Sequence, residues 1–150
     1  MISQDAILTG VFTLLNSSTS IATVCGAFNR VVRGAKRPDV LANPSITLQM
    51  PVAELPGGRW AGTNPLARTQ RGPILISVFV DNVANGAMDV AKLNTITSNI
   101  GSIVSGTIPT IAGVAVHRIG QWIESGPLYD AQDPHESYKV MQIGWWISEV

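Results

Sequence analysis

The chain reads as a single α/β (α+β) domain, a two-layer sandwich of two helices on a mostly antiparallel four-stranded sheet, in the order α-β-β-α-β-β. Three observations predict this. One segment has clear helical periodicity near the N-terminus and a second lies mid-chain, four segments have strand character, and a glycine- and proline-rich arm over 52–72 separates the first two main strands. At 150 residues, the length matches one domain able to bury roughly two-thirds of its unfolded surface. There is no internal repeat and no linker that would split it.

Ile7, Leu8, Val11, Leu14 and Leu15 draw one apolar stripe of helical spacing. Ser3 or Asp5 can cap the start of this helix, and Asn16-Ser17-Ser18 ends it. Residues 20–26 read as either a short helical turn or a loop, and 28–33 as a short edge strand. Ile46, Leu48 and Met50 then alternate with polar neighbours, the mark of a half-buried strand that Pro51 stops. Residues 73–81 are apolar on both faces, with Leu75 and Phe79 on one and Ile74, Ile76, Val78 and Val80 on the other, which predicts a central strand. A second helix is predicted over 88–104, with Asp89 in its first turn, a stripe through Leu93, Ile96 and Ile100, and Gly106 as its stop. Residues 113–125 and 138–150 complete the sheet as two hairpin-like strands joined by an acidic connection.

The arm has neither helical nor strand period. Unstructured connections beyond about 12–15 residues are usually functional or disordered. This one holds Arg59, Trp60, Arg68 and Arg71 among Pro56, Gly57, Gly58, Gly62 and Pro65. A twisted hairpin tip projecting from the sheet would serve the same role.

Charged residues are 13% of the chain, about half the share usual in a soluble domain. The net charge is zero, which argues against a dedicated nucleic-acid binder held by phosphate neutralisation. The charges are uneven: seven basic residues against two acidic ones between Arg30 and Arg71, then seven acidic against three basic from Asp81 onward. Opposite poles on one neutral molecule favour head-to-tail pairing of copies, although an ordinary solvated surface accounts for them as well. No apolar run approaches the roughly 20 residues that span a bilayer. The N-terminus lacks a basic region of the signal-peptide kind, and with Cys25 the single cysteine the expectation is a soluble protein of a reducing cytosol.

Every residue that could carry catalysis has a plainer structural reading. GxxxxGK[ST], GxGxxG and GxSxG patterns are absent. Cys25 sits among apolar residues and reads as a small core side chain. Asp130, Asp133, His135 and Glu136, with His117 elsewhere, supply donors for a hard cation, but an acidic solvated loop around Pro134 explains them more simply. Trp145 and Trp146 are adjacent in one strand and fall on opposite faces, so Trp146 needs a helix or a neighbouring subunit to cover it. The expectation is a non-enzyme with no cofactor and no metal.

The element order, the opening helix over 5–15, the strand–helix unit over 74–104, and above all Tyr129–Trp146 (YDAQDPHESYKVMQIGWW) resemble the tail terminator (tail completion, or tail-to-head joining) proteins of long-tailed bacteriophages. The resemblance implies a structural protein of the virion, made in the host cytoplasm, that forms a homohexameric ring. Such a ring caps the tail tube and presents its other face to the head connector, with DNA passing through its lumen without sequence-specific recognition and with no membrane involved. The family carries no catalytic residues. The arm over 52–72 is longer than the family's simple hairpin, which leaves another neck or connector subunit as an alternative. A metal-dependent enzyme using residues 130–136 and a non-viral adaptor are the remaining ones. Arg59, Trp60, Arg68, Arg71, Asp130, Asp133 and Trp146 are the interface residues expected.

Overall fold

A computed structural model describes residues 4–34, 41–49, 69–106, 114–130 and 135–149. Helix α1 (Gln4–Asn16) begins the fold and α2 (Thr19–Cys25) follows at 65° to it. Strands β1 (Val31–Arg33), β2 (Ser45–Gln49) and β3 (Thr69–Asp81) lead to α3 (Val90–Gly106). Then come β4 (Val114–Glu124), β5 (Leu128–Tyr129) and β6 (Glu136–Glu149).

The α/β class is as expected, but among the described residues the sheet has six strands instead of four and three helices accompany it instead of two. The extra elements are short. Residues 19–25 form a helix because Ser18 caps its start, accepting the Ile21 N–H at 3.3 Å, and Gly26 ends it at φ 84°, a left-handed conformation that costs glycine nothing. The double serine that stops α1 is thus also the start signal of α2. Asp5 lies inside the first turn of α1 and is not its cap. Asp89, expected in the first turn of α3, is instead its cap: its Oδ1 accepts the Lys92 N–H at 3.1 Å.

The sheet order is β1-β2-β3-β6-β4, with β5 also paired to β6. All pairings are antiparallel except β1 with β2, which is parallel with Val31 opposite Ile46. The central position of β3, between β2 and β6, is the one that its two apolar faces predict. It is longer than the expected 73–81, because Thr69–Gly72 pair with Ser148–Trp145 of β6. The last four residues assigned to the arm, Arg71 included, are therefore strand; residues 51–68 lie outside the described residues. The acidic connection is likewise shorter than expected: it contains β5, and Glu136 and Ser137 belong to β6.

One face of the sheet meets the helices. Val31, Ile46, Leu48, Ile74, Ile76, Val78, Val80, Met141 and Ile143 form a single buried cluster with Ile7, Val11 and Leu15 of α1, Ile21 and Cys25 of α2, and Leu93, Ile96 and Ile100 of α3. The opposite face is mixed. Leu75, Ser77, Val140 and Gln142 are partly or fully exposed, and Phe79 stacks on Tyr138 across β3 and β6 with ring centroids 5.5 Å apart.

Candidate functional site

Three strands present their ends together where β2 begins, β3 finishes and β6 starts. Asp81 and Glu136 are directly paired in register there, so two carboxylates lie side by side across adjacent strands. Like charges in that relation are destabilising. Asn43, two residues before β2 and followed by a cis bond to Pro44, relieves it: its Nδ2 donates to Asp81 Oδ1 at 2.9 Å and to Glu136 Oε2 at 2.7 Å. Its Oδ1 in turn accepts from the Ser45 hydroxyl at 3.0 Å. Glu136 is only 3% exposed, and a donor this close offsets part of the cost of burying it.

The neighbouring turns are tied to the same place. The Asn82 N–H donates to the His135 carbonyl at 2.8 Å, the Ser137 hydroxyl donates to Asn82 Oδ1, and the Asp130 N–H donates to the Glu136 carbonyl at 3.1 Å. The described contacts join the two carboxylates to an amide donor and the serine hydroxyls to amide oxygens, and bring no nucleophile to a base. Their effect is to clasp three separate chain segments. Asn43→Ala is expected to destabilise the protein by about 1–3 kcal/mol, because both carboxylates lose a donor and one is buried. Thermal unfolding checks this, and a melting temperature equal to that of the unaltered protein would remove the clasp.

Of the candidate metal donors, Asp130 and His135 stand at the turns beside this clasp, while Glu136 is drawn into it and buried. Asp133 lies outside the described residues. Among the described residues no three His, Cys, Asp or Glu side chains gather as a metal site. Cys25 is buried in the helix-covered core, and burial pushes its thiol above its ordinary pKa, against the smaller opposing influence of Arg30 and Lys92. That environment disfavours a thiolate nucleophile.

The expected interface residues divide. Arg59, Trp60 and Arg68 lie outside the described residues, as Asp133 does. The backbone brings Arg71, Trp146 and His117 into one row across three strands, Arg71 opposite Trp146 on β3 and β6 and Trp146 opposite His117 on β6 and β4. The sequence reading missed the exposed apolar side chains of the β4–β5 edge: Ile123 is 66% exposed, Leu128 43% and Tyr129 55%. β5 is two residues long, too short to show a period. Only the flanking Pro127 and Asp130, residues that favour turns, mark it out.

Among the described residues no single helix is long and apolar enough to cross a membrane. No protein-family model matches the chain, and no curated protein matches it.

Proposed function

We propose that the chain is a structural virion subunit of the tail terminator kind, forming a ring that caps the tail tube and joins it to the head connector. The observation that carries this reading is the skeleton of the fold. Helix α1, antiparallel β2–β3, helix α3 and antiparallel β4–β6 follow one another in the family-like order, with α2, β1 and β5 as additions. Two further features support it. The described helices join the core through one face of the sheet, and the edge formed by β4 and β5 exposes Ile123, Leu128 and Tyr129, apolar area of the sort that partners cover.

In this reading Arg59, Trp60 and Arg68 reach an acidic surface on the next subunit or on an adjacent ring, and the row of Arg71, Trp146 and His117 lies near the base of the same arm. The test is mass measurement of the purified protein, alone and with its tail-tube partner, together with a search for the chain in assembled particles. A defined ring-sized oligomer is expected. A monomer under every condition, absent from particles, overturns the assignment. Removing residues 57–68 is expected to leave a cooperatively folding domain that assembles poorly. Loss of folding in that deletion would make the arm part of the core and not an assembly element.

A further inference from the structure

Asn85 and Gly86 stand side by side in the turn that follows β3, and they are the one Asn-Gly pair of the chain. Each of the other asparagines precedes either a proline, which has no N–H, or a residue whose Cβ shields its nitrogen. The turn is closed by two backbone bonds. The Gly86 N–H donates to the Val83 carbonyl at 2.8 Å, and the Val83 N–H donates to the Ala87 carbonyl at 2.9 Å. Gly86 holds the left-handed conformation, φ 75°, that glycine adopts without steric cost.

This turn is open to solvent. Residues 83–87 are all exposed, and a Cβ placed on Gly86 would meet no atom within 4 Å. The Asn85 carboxamide has no hydrogen-bond partner among the described residues. Few buried contacts and solvent-exposed backbone bonds put a segment at the low end of local stability, so this one opens without the rest of the fold.

We propose that Asn85 is a site of spontaneous covalent modification, at which the chain converts its own side-chain amide to a carboxylate through a cyclic imide formed with Gly86. The Gly86 nitrogen gives up its proton to hydroxide and attacks Asn85 Cγ. The N–Cγ bond forms as the Cγ–Nδ2 bond breaks, and Nδ2 leaves as ammonia after taking a proton from water. A water molecule then opens the ring. Attack at Cγ leaves aspartate; attack at the main-chain carbonyl leaves isoaspartate, with the chain running through the former side chain. Glycine favours the first step because no Cβ shields its nitrogen and its backbone turns freely to the conformation that attack needs.

The product differs in charge and in shape. Its net charge falls from zero to one negative, and the new carboxylate lies between Asp81 and Asp89, four positions from each. Isoaspartate also lengthens the main chain by a methylene, which pulls the two turn bonds out of register. The modification is independent of the ring reading above.

The test incubates the full, folded chain at mildly alkaline pH and follows the peptide 72–92, released by tryptic cleavage after Arg71 and Lys92, by mass spectrometry. The mass gain of an amide-to-acid exchange is expected at Asn85 before any other asparagine. Labelling by an isoaspartate-specific methyltransferase and an acidic shift on isoelectric focusing should accompany it. Asn85→Gln replaces an exposed side chain, keeps the fold, and is expected to lose all three signals. Conversion of Asn82, in the same peptide, as fast as that of Asn85 overturns the assignment. An Asn85 that stays unmodified in the folded chain also overturns it, and conversion in urea alone would trace that result to a turn that stays closed.

Discussion

Replacing Ile76 with alanine is expected to lower the unfolding free energy by about 2–5 kcal/mol, the range found for truncating fully buried aliphatic side chains. Ile76 sits midway along the central strand β3, opposite Leu48 on β2 and Met141 on β6, and all three are at 0% exposure. Helix α3 closes the site from above through Leu93, Ile96 and Ile100. Strands on both sides and a helix on top leave little room for collapse, so the cavity persists and the cost belongs in the upper half of the range. The next residue gives the control. Leu75 points to the opposite face and is partly exposed, so Leu75→Ala should cost distinctly less. Urea unfolding of both variants, with unchanged slopes, measures the difference. Equal losses at the two positions would mean that the core is not confined to the helix-covered face.

The second large effect is expected at a charge. Lys139 of β6 lies among the helix-covered residues, its side chain 8% exposed, with its ammonium donating to Asn94 Oδ1 of α3 at 3.0 Å and to Glu124 Oε2 of β4 at 3.3 Å. Breaking a buried pair from one side strands the other charge, whereas replacing the charge by an apolar side chain of like volume is often neutral. Glu124→Ala is therefore expected to destabilise by about 1–3 kcal/mol, less than for a fully enclosed pair because Glu124 is itself 31% exposed and water can reach the site. Lys139→Met keeps the aliphatic stem and should cost less than Glu124→Ala. The double variant should recover most of the loss. Chemical denaturation of the three variants decides it, and a Lys139→Met penalty as large as that of Glu124→Ala would show that the ion pair itself stabilises the fold.

Much of the architecture was legible because it is written in local periods. The stripe of α1 and that of α3, the alternation of β2 and the two apolar faces of β3 each depend on residues within a few positions of one another. Of the short pieces, β1 falls within the edge strand read over 28–33, whereas β5 spans two residues, a length at which no period can be read; both exist because a longer strand already offers its edge. The sequence places the end of the arm at residue 72, because 52–72 shows no strand period and is punctuated by glycine and proline. The long β6 nevertheless extends pairing across them to Thr69.

The candidate site shows the same division more sharply. The sequence by itself determined the composition of the acidic turn, the lone cysteine among apolar neighbours, the absence of phosphate-loop and nucleophile-elbow patterns, and which residues of each long element face inward. Tertiary structure alone decided that Asn43 meets Asp81 and Glu136, partners 38 and 93 positions away. It alone buried Glu136, set Lys139 between Asn94 and Glu124, and aligned Arg71, Trp146 and His117. The reason is physical: inward and outward faces follow from backbone geometry repeated every two or 3.6 residues, whereas these contacts depend on which strand ends arrive together when the sheet closes.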